Sequence, residues 1–300
     1  MTPKVGPTGS GAQLEWLSDV EVGAKFHFTD RDSLARSLRS FFYNAYDRDS
    51  LSDHTALVTD FPLESFIMDE DMDDDDVRAD RSVIPRRHKL LYLTDSKILL
   101  LTMQSTPHEV ASRRFGSLLT LKLDKMNCFY KITPTGGATR EIENWMGNVR
   151  KSPDESWGPF GSGYATLMVE SGVSESCGSL RVDAKIWLEH VDSHVTQVLT
   201  IKIHRTRPEI IFTVWKGAPQ ERDTRSQHLP RAVVDQEIHV KLEERRPMAE
   251  RHISLSFEKI FERRPRPGTA EGDFIFSKRE LGMLASEVWI GMGHTVQEWL

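Results

Sequence analysis

Apolar positions along the chain recur at two spacings, and the alternation between them marks its elements. Leu34, Leu38, Phe41, Phe42 and Ala45 follow a helical period and predict a short amphipathic helix over Leu34 to Tyr46. Leu90 to Thr102, rich in Leu and Ile with Tyr92, predicts one extended stretch entering the core. Thr106-Pro107-His108-Glu109 has the capping-box pattern with proline at the first helical position. The helix it opens carries Ala111, Phe115, Leu118, Leu119 and Met126 on one face and is predicted to run to about Met126. Short extended pieces follow: a strand over Cys128 to Thr133, a turn at Pro134 to Gly137, and a partner strand over Arg140 to Met146 that leads to Asp154.

Thr166 to Glu170 is a short apolar run that predicts a buried strand ending in an acid. Leu180, Ala184, Trp187, Leu188 and Val191 then form a helical stripe over Ser179 to His190. Val195 to His204 and Glu209 to Trp215 are dense in β-branched and aromatic residues and predict strands. Strand, helix, strand in that order implies a right-handed crossover, hence a mixed sheet with one parallel pair and a helix packed on it. Gln220 to Glu250 reads as a polar connector with one strand near Ile238 to Val240, and Ile253, Leu255 and Phe257 alternate as a strand. Ser277 with Glu280 forms a second capping box before Leu281, Leu284, Val288 and Trp289. The expected organisation is a variable head over residues 1–85, an α/β core over 86–216, and a connector with a strand and helix over 217–300. Both extensions are expected to be largely irregular.

Charge is unevenly spread along this order. The net charge is −6, but residues 1–85 hold 8 Lys and Arg against 18 Asp and Glu. Residues 86–216 hold 18 against 13, so the middle is mildly basic, which permits a phosphate-binding surface such as one for DNA. Asp69 to Asp76 is acidic except at Met72 and predicts a solvated linker; Asp74 and Asp80 stand where a calcium loop needs Gly and Glu. No apolar run is long enough for a membrane span, and Met1 to Gln13 lacks a secretory pattern. The two cysteines, Cys128 and Cys177, have no metal-ligand or paired spacing. An intracellular location, cytoplasmic or nuclear, is expected.

Among residues that carry chemistry, Asp154 and Glu170 form the sharpest pair. Each sits near the end of a predicted extended segment, so adjacent strands can bring both carboxylates to one point. Hard cations such as Mg²⁺ take carboxylate oxygens together with waters and substrate phosphate. His108-Glu109 is no zinc-protease motif, because Ser112 stands where the second histidine belongs. His190 and His194 flank a turn, and Trp187 and Trp215 read as core before they read as base-stacking platforms.

The ordered set Pro153-Asp154, Val169-Glu170 with Ser174-Glu175-Ser176, and Asp183-Ala184-Lys185 resembles the PD-(D/E)XK nuclease superfamily, in particular restriction endonucleases. Fungal proteins of that kind share the runs Ser152 to Trp157 and Leu180 to Leu188. The resemblance covers roughly Thr102 to Trp215. It implies a restriction-endonuclease-like core of helix, mixed sheet and crossover helix, with Asp154 and Glu170 as metal ligands for Mg²⁺ and Glu109 as an accessory acid on the first helix. It also implies a lysine two residues after the Glu, but Gly172 stands there. Displaced candidates are Lys185, which ranks first, Arg181 and Lys151. Glu109 has a local alternative in its capping box. Two functions follow: a metal-dependent phosphodiester hydrolase acting on DNA, or a catalytically silent binding or scaffold module on the same fold.

Overall fold

The structure, a computed structural model, describes residues 15–70, 82–85, 88–173, 178–190, 193–219 and 230–297. The chain forms a mixed α/β fold with two large mixed sheets.

The head is more regular than its composition predicts. Strand β1 (Ala24–His27) pairs in parallel with β2 (His54–Thr59) across helix α1 (Arg31–Arg48), and α2 (Leu63–Glu70) follows. The Asp30 side chain caps α1 by accepting from Ser33 N, and α1 buries Leu34, Leu38, Phe42 and Ala45. The acidic run reaches α2 at Asp69 and Glu70; residues 71–76 lie outside the described residues. The apolar stretch from Leu90 is not one strand but a hairpin, β3 (Lys89–Leu93) and β4 (Ile98–Met103). Thr94-Asp95-Ser96-Lys97 interrupts the run with four polar residues, and Lys97 takes the left-handed φ of 53° that closes the turn.

Arg140 to Met146 finds a different partner from the one expected. Strand β6 (Arg140–Asn144) pairs with β7 (Gly147–Lys151), and β7 pairs with β3, giving a six-stranded sheet in the order β1-β2-β4-β3-β7-β6. Strands on both sides of residue 85 therefore share one sheet. Helix α3 (Thr106–Lys125) starts one residue earlier than its capping-box pattern implied. Ser105 is its N-cap, with no side-chain cap bond, so Thr106 does not pair with Glu109 in a box.

The second sheet has seven strands. Cys128 precedes a 3₁₀ turn, and only Ile132–Pro134 is extended, as β5. It pairs with β8 (Glu155–Pro159), which pairs with β9 (Leu167–Val173). Helix α4 (Gly178–Leu188) carries the chain to β10 (Gln197–Ile203), which lies parallel to β9. Strands β11 (Glu209–Ala218), β12 (Arg231–Glu243) and β13 (Arg246–Ala249) extend the sheet antiparallel. The described part of the expected connector, from residue 230, is thus mostly strand, and β12 contains the strand expected near Ile238 to Val240. Exposed and buried positions interleave irregularly in β12, and a bulge opposite Val214/Trp215 breaks its register, so no clean alternation shows in the sequence. A short pair, β14 (Ile253–Leu255) and β15 (Phe274–Phe276), follows with α5 (Phe257–Phe261) between them; Phe257 opens that helix rather than ending a strand. Helix α6 (Lys278–Gly291) has the predicted capping box between Ser277 and Glu280.

Three apolar clusters separate these layers. Phe115, Leu199, Phe212, Phe276 and Trp289 pack α3 and α6 on one face of the seven-stranded sheet. Leu91, Leu100, Met168, Val198 and Trp187 fill the space around α4, between the two sheets. Leu38, Phe42, Leu90, Tyr92 and Leu101 lie on the far face of the six-stranded sheet. Strands β3, β4 and β9 are therefore buried on both faces, which explains their unbroken apolar runs. No helix among the described residues is long and apolar enough to cross a membrane.

Candidate functional site

The β8–β9 register brings the two predicted acids together. Glu155 pairs with Val169, so Asp154, one residue earlier, falls beside Glu170, and its Oδ2 accepts a hydrogen bond from Ser171 N. Both side chains are buried, at 1% and 0% exposure. A third acid, Asp183, reaches the same point from α4 and is 15% exposed.

Their counter-charges come from the other sheet. Leu91 pairs with Lys151, and Lys89 lies two residues before Leu91, so both lysines share the strand face turned toward α4. Lys89 Nζ touches Glu170 Oε2 and lies 3.4 Å from Asp154 Oδ1 and 3.6 Å from Asp183 Oδ2. Lys151 Nζ is 2.7 Å from Asp183 Oδ1 and 3.2 Å from Glu170 Oε1. The indole N–H of Trp187 donates to Glu170 Oε1 as well. Gln104 donates to Asp154 Oδ1 at 2.7 Å.

Helix α3 closes the cluster with His108. Its Nε2 is 2.9 Å from Asp154 Oδ2 and its Nδ1 is 2.8 Å from Asp53 Oδ2. Asp53 in turn accepts from Ser105 N, Ser105 Oγ and Val173 N. It thereby satisfies a donor at the N-terminus of α3 and one on β9.

Four acids (Asp53, Asp154, Glu170, Asp183) thus face three cations (Lys89, Lys151, His108). Burial opposes the charge on His108, but Asp154 and Asp53 outweigh it and raise the imidazole to about 10. Lys89 follows the same pattern and is raised well above an ordinary lysine by Asp154, Glu170 and Asp183 against burial. Burial likewise works against ionised Asp154, yet His108 and Lys89 hold its carboxyl below the usual range. Glu170 goes the other way. Burial raises it, Asp183 and Asp154 add to that, and Lys151 and Lys89 do not fully compensate. Glu170 is therefore the acid best placed to hold the one proton that would neutralise the cluster.

These residues do not fit a divalent ion in this arrangement. Three of the four carboxylate oxygens of Asp154 and Glu170 accept hydrogen bonds, Glu170 Oε2 meets only the Lys89 ammonium, and Lys89 takes the position between the two acids where a shared cation would sit. Among the described residues no group of three or more His, Cys, Asp or Glu is arranged to hold a metal.

The remaining predicted residues lie apart. Lys185 is half-buried on α4 and has no ion pair among the described residues. Glu109 pairs with Arg113 at 2.8 Å, one helical turn on, and is 39% exposed. It shares with Asp154 and Lys89 the wall of an open groove of about 830 Å³. His194 stacks on Tyr164, and residues 174–176 lie outside the described residues. Sequence reasoning missed Lys89 and Asp53 altogether, and it weighed His108 only as a zinc ligand. Lys151 had been considered, though only behind Lys185. A single lysine at the start of an apolar run carries no signal that its partner lies in another sheet. No family model, curated protein or solved structure matches this chain.

Proposed function

We infer that this chain is a PD-(D/E)XK-like protein working as a binding or scaffold module, with its acidic pair neutralised from within. Support for the restriction-endonuclease-like core comes from the order α3, β5, β8, β9, α4, β10, in which the four strands are neighbours and only β9 and β10 run parallel. The observation that carries the function is the Lys89 ammonium against both Asp154 and Glu170. A covalently tethered cation is always at hand, so Mg²⁺ would have to displace it and also release a buried lysine into a low-dielectric site, which is costly. An intracellular setting, cytoplasmic or nuclear, belongs to the same proposal.

The hydrolase reading keeps one observation in its favour: Asp154 and Lys89 line an open groove large enough for a nucleotide backbone. In that reading Mg²⁺ binds Asp154 and Glu170, DNA is cut, and Asp154→Ala or Glu170→Ala abolishes cutting. Calorimetric titration of Mg²⁺ and Mn²⁺ into wild type and Asp154→Ala, beside a DNA cleavage assay, separates the two. The module reading expects no site-specific metal binding and no cleavage. Metal binding and cleavage that both vanish in Asp154→Ala would reverse the conclusion.

A further inference from the structure

A second concave site adjoins the acids on the same face of the seven-stranded sheet beside α4, where Thr200 is the strand partner of Glu170. Thr200, Thr213 and Glu237 form one row across β10, β11 and β12, with Trp215 in the next row on the same face. Lys202, 6% exposed, stands two residues beyond Thr200, and Arg181 of α4 and Arg231 of β12 border the same groove. Its volume, about 460 Å³, is within the range of small-molecule pockets.

The charge here is opposite to that of the whole chain. Among the described residues that line it, Arg181, Lys202 and Arg231 stand with one acid, Glu237, in a protein of net charge −6. Arg181 and Arg231 are both exposed and have no ion pair among the described residues. The planar guanidinium fork binds two oxygens of a phosphate at once. Trp215 supplies the other half of a recognition surface. It is half-buried, and its indole N–H donates to Thr200 Oγ1 at 2.9 Å, which fixes the ring within the groove wall. A fixed indole beside cations is the arrangement on which a planar base stacks while its phosphate is held. The β-bulge opposite Val214/Trp215 bends β12 at this point.

We propose that this groove binds a nucleotide, with its phosphate on Arg181 and Arg231 and its base against Trp215. The ligand is either a free nucleotide or a nucleotide of a single strand, since the groove recognises the chemistry they share. This deepens the module reading and rests on it, because it assigns the ligand to arginines and an indole that take no part in the acidic cluster.

The test is fluorescence anisotropy in EDTA, using the full chain with labelled ADP and, separately, labelled oligothymidine. One or both probes bind wild type, and Arg181→Glu with Arg231→Glu weakens binding by about tenfold or more. The two arginines are exposed, so the double variant keeps the wild-type circular dichroism and melting temperature. Arg181→Lys with Arg231→Lys retains most of the affinity, and Trp215→Leu weakens nucleotide binding more than Trp215→Phe. The proposal is overturned if neither probe binds, if charge reversal leaves affinity unchanged, or if inorganic phosphate competes as well as ADP. Adding Mg²⁺ to the oligothymidine sample afterwards tests the module reading separately. Cleavage there overturns that reading, while the groove stands or falls on the EDTA data.

Discussion

Lys89 and Glu170 meet as ammonium and carboxylate although Lys89 opens a strand of the six-stranded sheet and Glu170 sits inside the seven-stranded one. The contact ties the sheets together at the acidic pair and makes the N-terminal sheet part of the site. Burial makes the dependence mutual, because removing either partner leaves an uncompensated charge away from water.

Replacing Lys89 with Met is expected to destabilise the fold by about 3–5 kcal/mol, the cost of breaking a buried ion pair. The same change removes the cation between Asp154 and Glu170 and leaves Glu170 Oε2 with no partner. Mn²⁺ should then raise the melting temperature of the variant while leaving that of wild type unchanged. A variant whose melting temperature ignores Mn²⁺ would show that Lys89 does not stand in a cation site.

The two lysines weighed as substitutes for a catalytic lysine should behave differently. Lys151→Ala leaves Asp183 and Glu170 short of a partner and is expected to cost about 3–5 kcal/mol in urea unfolding. Lys185→Ala is expected to stay within about 0.5 kcal/mol, as for a surface change. Equal losses would mean that Lys185 has an electrostatic role this structure does not contain.

His108 gives the protein a specific alkaline sensitivity. Its folded value is raised to about 10 from 6.5, so its stabilisation is complete below 6.5 and is lost as pH rises through about 10. Across that window the folded state holds one more proton than the unfolded chain, and stability falls by about 1.4 kcal/mol per pH unit from this group. Unfolding of His108→Asn, followed from pH 6.5 to 10, should show a slope shallower by that amount. An unchanged slope would assign the titration elsewhere.

At the C-terminal end, Ser277→Ala removes the side chain that caps α6. The loss is expected to be about 1 kcal/mol, because one donor of the first turn loses its acceptor. Chemical denaturation checks it, and Ser277→Asp should restore most of the loss.

The helices and central strands were legible in the chain because their signal is local. The stripe of Leu180, Ala184, Trp187 and Leu188 predicts α4, and the apolar runs before Glu170 and after Val195 predict β9 and β10 with the crossover between them. The pairing of Asp154 with Glu170 was also within reach, since two adjacent strands and the loop between them fix it. What lay beyond the sequence was decided over distance. Arg140 to Asn144 has a partner on either side in the chain, and only the packing of Leu91 and Val149 around α4 assigns it to the first sheet. Of strand β12 only the part near Ile238 to Val240 was legible, because its half-exposed faces and its bulge leave no clean period over the rest. The ion-pair cluster is the furthest case: Lys89 and Asp154 are 65 positions apart, and Val173 and Asp53 are 120. Local periodicity says which residues are buried but not which buried charges meet. That depends on the register of two sheets and the helix between them, which exist only once the chain has folded.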